Sequence, residues 1–230
     1  MQTRFDGPEA RKALEALCGI YRPAVIAFVR RHGYSLADAE DMTQSFYADV
    51  IGRDFHARAD PARGRFRSYL LTALRHFVAR SRAHDDALKR GGQADHLSLG
   101  NDDADGHMDL ADDGESPDEV FDRVWAVTVL HQAIDHLERE TQLAGKGGLF
   151  HDLKAYLLED PEGDDYARLA ERLGMRPNTI AVAVHRLRRR LRAQVGIVLS
   201  ETVEDPACAD AELTHLKAAL GAPAHASIGV

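Results

Sequence analysis

Apolar residues recur along most of this chain at intervals of three and four, the period of a helix with one buried face. Leu14, Leu17, Tyr21, Val25, Phe28 and Val29 form the first such stripe, so 8–33 reads as helical, with breaks near Gly19 and Pro23. Ser35 opens a second helix at capping-box spacing, with Asp38 standing where Glu is usual. Leu36, Ala39, Met42, Phe46 and Val50 point inward from it. Asp60-Pro61 and Gly64 punctuate 53–65 as a loop. A third helix, 66–89, carries Phe66, Tyr69, Leu70, Leu74 and Phe77 at core spacing, leaving Arg67, Arg75, His76, Arg80 and Arg82 outside. Periodicity then disappears until Ser116-Pro117-Asp118-Glu119, where an N-cap serine, a first-turn proline and a third-position Glu start another helix. That helix runs to about Arg139 and buries Val120, Val124, Val127, Leu130, Ile134 and Leu137. A glycine-rich turn at 145–148 precedes a short helix over 149–158. Leu213, Leu216 and Leu220 share a face of one more short helix over 211–220. The pattern predicts an all-α protein.

The stretch 164–192 is the most informative. Tyr166, Leu169, Ala170 and Leu173 give one apolar face, and Gly174 ends that helix because glycine enters the left-handed region freely. Pro177 suits the first turn of a second helix, whose inner face is Ile180, Val184, Leu187 and Leu191. Thr179, Val182, His185, Arg186, Arg189 and Arg190 are left outside. This is the pattern of a helix-turn-helix whose second helix enters a DNA major groove. An αα-hairpin with a solvated basic face would give the same pattern.

Charge sharpens the picture. The chain carries a formal net charge of -8, yet 58–90 holds nine Lys/Arg against three Asp, while 91–117 holds eight acids and no Lys/Arg. An acidic total therefore coexists with basic surfaces facing nucleic acid, separated by a segment too polar to be a buried element. Aromatic residues mixed with arginine over 66–82 suit single-stranded nucleic acid, although each ring has a core role open to it. On the second helix, Asp38, Asp41, Ser45 and Asp49 share a face flanked by Glu40 and Gln44. They form either a solvated face favoured by the helix dipole or a surface for a basic partner. Two cysteines at opposite ends, no apolar run long enough for a membrane and no export-type leader point to a cytoplasmic protein. Twelve histidines bring no metal-ligand spacing: His131 and His136, five apart, do not share a helix face. No nucleophile–base, phosphate-loop or HExxH motif is present. We therefore expect neither an enzyme nor a metal or other cofactor.

The order of these parts resembles the extracytoplasmic-function sigma factors of bacterial RNA polymerase. Ser35–Asp49, SLADAEDMTQSFYAD, looks like that family's polymerase-docking helix. Phe66–Arg82, FRSYLLTALRHFVARSR, looks like the helix engaging the melted −10 element, and Asp164–Arg192 looks like the −35 reader. The resemblance covers about residues 8–195. It implies a first module over 8–90, a linker over 91–117, a second module over 118–195 and a tail over 196–230.

It also implies roles. Asp38, Glu40, Asp41, Gln44 and Asp49 would bind core polymerase. The loop residues Arg58, Arg63 and Arg65, with Arg67, Arg75, His76 and Arg80, would hold single-stranded −10 DNA around a flipped base. Arg176, Asn178, Thr179, Ala181, Val182, His185, Arg186 and Arg189 would meet duplex −35 DNA. An anti-sigma factor is a further candidate partner; a membrane is not. Ala181 and Val182 depart from the polar readers common in relatives, which suggests thymine-methyl contacts. Arg176 stands where a Ser or Thr cap is usual. The competing reading is a helix-turn-helix regulator that acts without polymerase; it leaves the acidic helix and the acidic linker without a role.

Overall fold

The computed structural model describes residues 8–52, 66–90, 114–159, 161, 163–202 and 209–221. Among them are eight α-helices and no strand. They are α1 (Pro8–Arg31), α2 (Leu36–Gly52), α3 (Phe66–Arg90), α4 (Pro117–Leu143), α5 (Gly147–Leu153), α6 (Asp165–Leu173), α7 (Pro177–Ser200) and α8 (Ala209–Ala219). A 3-10 turn, Lys154–Leu157, continues α5 in place of the unbroken helix expected over 149–158. The loop holding Arg58, Arg63 and Arg65 and most of the acidic linker lie outside the described residues.

The chain divides into two compact units. The first comprises residues 1–128 and 201–221, the second 129–200 and 222–230. The sequence reading set a second module over 118–195 and a tail over 196–230; in this division the first part of α4 and the whole of α8 belong to the first unit. Periodicity locates helices but carries no information about which core a helix joins.

In the first unit α1 continues through Pro23, where the stripe suggests a break. An interior proline costs about 3 kcal/mol. Burial of Ile20, Tyr21, Ala24, Val25, Phe28 and Val29 outweighs that, at roughly 1.5–3 kcal/mol for each large side chain. Gly33, at φ 91°, turns the chain after α1. Asp38 N–H then donates to Ser35 Oγ at 3.2 Å, the expected cap of α2. α4 starts on a complete reciprocal box: Glu119 N–H donates to Ser116 Oγ at 3.3 Å, and Ser116 N–H donates to the Glu119 carboxylate at 2.8 Å. Those bonds from Ser116 hold the Glu119 carboxyl below its ordinary pKa.

Tyr21 is the hub of this core. Its ring stacks near-parallel with Phe121 and Trp125, each 6.4 Å away, and meets Phe66 edge-on at 5.2 Å. Phe121 and Trp125 are absent from the apolar stripe of α4, yet both are fully buried. Burial, reinforced by the charge of Glu212, pushes the Tyr21 phenol well above its usual pKa.

The second unit has its own core. Val129, Ala133, Ile134 and Leu137 of α4 contribute to it, with Phe150, Leu153, Leu157, Leu169 and Ala170. Ile180, Val184, Leu187, Leu191, Val195 and Val198 supply the inner face of α7.

Candidate nucleic-acid interface

In the second unit the turn between α6 and α7 is built by glycine. Gly174 takes φ 63°, its N–H reaches the carbonyls of Ala170 and Glu171, and Met175 N–H closes on Ala170 O at 2.8 Å. This double closure consumes carbonyls that the end of α6 would leave open. α7 then begins at Pro177, with Arg176 O accepting from Thr179 N–H at 2.8 Å and Ile180 N–H at 3.3 Å. Arg176 is exposed.

With Ile180, Val184 and Leu187 turned inward, Asn178, Thr179, Val182, His185, Arg186 and Arg189 are exposed along one side of α7. Val182 is 42% exposed, and Ile197 further along the same helix is 47% exposed. Ala181 is half-buried at the margin of this side.

The run of arginines divides by function. Arg188 donates to the carbonyls of Tyr156 at 2.9 Å and Glu159 at 2.6 Å, tying α7 to the end of the 3-10 turn. Arg190 pairs with Glu140 at 2.8 Å, so the outward position expected for it is occupied within the protein. Arg172 pairs with Asp152 at 3.0 Å, joining α6 to α5. None of these bonds involves Arg186 or Arg189, which stand on the exposed side.

In the first unit, Asp38, Asp41 and Gln44 are exposed on α2. Glu40 lies 3.7 Å from Arg22, and Asp49 pairs with Arg80 at 3.0 Å. The candidate acidic face thus has a solvent-facing part, Asp38–Asp41–Gln44, and a part engaged by arginines of its own unit.

The arginines of α3 are engaged likewise. Arg75 grips Asp118 with two donors, Nε to Oδ1 at 3.0 Å and Nη2 to Oδ2, which raises its pKa further. Arg82 donates to the carbonyl of His32 and lies over the Tyr34 ring, 6.0 Å from its centroid. His76 is exposed.

Arg67 corrects the sequence reading outright. The helical projection sends it to the outer face of α3, but its side chain is only 7% exposed. Nη1 meets Asp122 Oδ1 at 2.5 Å, Nε meets Glu212 Oε2 at 3.3 Å, and the guanidinium lies over Trp125 at 5.4 Å. Its acidic partners stand 55 and 145 residues away, so no local pattern could have announced the role.

Among the described residues no group of three or more His, Cys, Asp or Glu could hold a metal ion, and no helix is long and apolar enough to cross a membrane. Comparison with family models, curated proteins and solved structures found no match for this chain.

Proposed function

We propose that this protein is a promoter-recognition subunit of bacterial RNA polymerase, a sigma factor of the extracytoplasmic-function type. The observation that carries this reading is the exposed row Thr179–Val182–His185–Arg186–Arg189 on the second helix of a helix-turn-helix. Its composition fits groove recognition. Val182 and the margin residue Ala181 suit thymine methyls, and Arg186 suits the paired acceptors of guanine, a contact worth about 1–3 kcal/mol of discrimination. The exposed Asp38, Asp41 and Gln44 support a second surface, one for a basic region of the polymerase. The reading as a regulator working alone assigns that surface no partner. On this reading the protein binds core polymerase, duplex −35 DNA and single-stranded −10 DNA, needs no cofactor and catalyses nothing itself.

The test is transcription by core polymerase, with and without this protein, on templates randomised separately at the two elements. Initiation should depend on the protein. Arg186→Ala should relax preference at a single −35 position and leave the −10 choice unchanged. Asp41→Arg should abolish co-purification with core polymerase while shifting folding stability by less than about 1 kcal/mol, as for an exposed charge. Tight binding of duplex promoter DNA without polymerase, together with no protein-dependent transcripts, would overturn the assignment in favour of a self-sufficient regulator.

A further inference from the structure

The C-terminal helix does not pack where its sequence position suggests. α8 returns to the first unit and buries two side chains there, Glu212 and Leu216. Glu212, with 2% of its side chain exposed, faces Arg67 Nε at 3.3 Å. One turn on, His215 Nε2 lies 2.9 Å from Asp122 Oδ2, and the opposite oxygen of the same carboxylate takes Arg67 Nη1 at 2.5 Å. The His215 ring also lies 6.0 Å from Trp125. Four charged or titratable groups from α3, α4 and α8 thus form one connected chain, buried at Glu212 and Arg67 and partly exposed at Asp122 and His215.

Two features make this cover removable. α8 has eleven residues, too few for a stable helix in isolation, so its folding depends on being docked. Its hold combines the buried Leu216 with ion pairs, and burying charges costs much of what their attraction returns. An arginine enclosed by carboxylates is also a site that a phosphodiester can contest. A phosphate offers the guanidinium fork the same two-oxygen geometry and keeps most of its own surface in water.

We propose that α8 is a gate over Arg67: docked, it withholds the arginine from nucleic acid, and a single-stranded DNA backbone displaces it by taking the place of Glu212. Asp122 stays as the group that positions the freed guanidinium. The gate rests on the reading of α3 as a DNA-facing helix. Because coupling between two binding events is reciprocal, DNA must loosen α8 as much as α8 weakens DNA binding.

The reciprocity can be measured on the unaltered full chain, by hydrogen–deuterium exchange with and without a saturating single-stranded oligodeoxynucleotide. Exchange across 209–219 should accelerate with DNA, while the buried turns of α1 stay protected. The protein's one tryptophan, Trp125, should shift its emission to the red as its cover leaves. Leu216→Asp should undock α8 without DNA. Although it adds a negative charge, it should bind the oligonucleotide more tightly, with a salt dependence steeper by about 0.7, the increment for one more phosphate neutralised on a single strand. Adding Arg67→Ala to Leu216→Asp should remove that increment. DNA bound equally by both states, with 209–219 unchanged, overturns the gate and leaves the sigma reading standing. No DNA binding by either state, free or with core polymerase, overturns both.

Discussion

Arg67 and Arg188 show how far the fate of one side chain depends on what comes to meet it. Both are arginines on amphipathic helices; a helical projection sends Arg67 to the outer face and sets Arg188 at the margin of the inner one. Each serves as an internal tie, Arg67 to Asp122 and Glu212, Arg188 to two main-chain carbonyls. Arginine suits this because its planar fork donates several hydrogen bonds without reorienting. Arg188→Ala should therefore act on folding. Losing charged donors to two carbonyls should cost about 1.5–3 kcal/mol, read from chemical denaturation. On the proposed function, binding of −35 DNA, measured below the unfolding transition, should be unchanged. A variant of normal stability with weakened DNA binding would place Arg188 at the groove and not at the turn.

At the scale of elements, the junction of α6 and α7 is decided by backbone geometry. Gly174 occupies the left-handed region at φ 63°, and a Cβ built there meets nothing within 4 Å. Gly174→Ala should consequently incur only the conformational penalty, about 1–2 kcal/mol, with no steric clash added. The expected result is a lower thermal midpoint with the α6–α7 geometry preserved, so that the −35 preference the proposed function assigns is retained at low temperature. Altered preference in a fully folded variant would show that the turn sets the angle of α7 more tightly than the glycine geometry requires. The caps of α2 and α4 belong to the same scale. Both are legible as Ser-x-x-acid spacings, and both form with their side-chain bonds in place.

Over the molecule as a whole, the first unit is held by residues from both ends of the chain. Tyr21 of α1 touches rings from α3 and α4, bonds to Thr202 after α7, and feels the charge of Glu212 in α8. Its phenol titrates above the unfolded value because burial disfavours the phenolate. A group whose pKa is raised on folding stabilises fully below the unfolded pKa, about 10 for tyrosine, and that stability is lost as pH climbs above it. Denaturant unfolding between pH 8 and pH 11 should thus show stability falling past about pH 10, with a slope of up to about 1.4 kcal/mol per pH unit from this residue. Tyr21→Phe should flatten that slope. An unchanged slope in the variant would mean that Tyr21 is not the buried group that resists ionisation.

Helix positions, caps, the glycine turn and the inward face of α7 were determined by the sequence alone, because each depends on neighbours within about four residues. The outward row Thr179, Val182, His185, Arg186 was legible for the same reason: removing the core positions of one helix leaves its solvent side. The solvent-facing acids Asp38 and Asp41 obey that rule too. Three things only the tertiary structure decided. It split α4 between two cores, placing Phe121 and Trp125 in the first and Ile134 and Leu137 in the second. It returned α8 to the first unit, and it drew Arg67 inside. Each of these turns on charge pairs and ring contacts between residues far apart along the chain, and such meetings leave no periodic trace in the sequence that makes them.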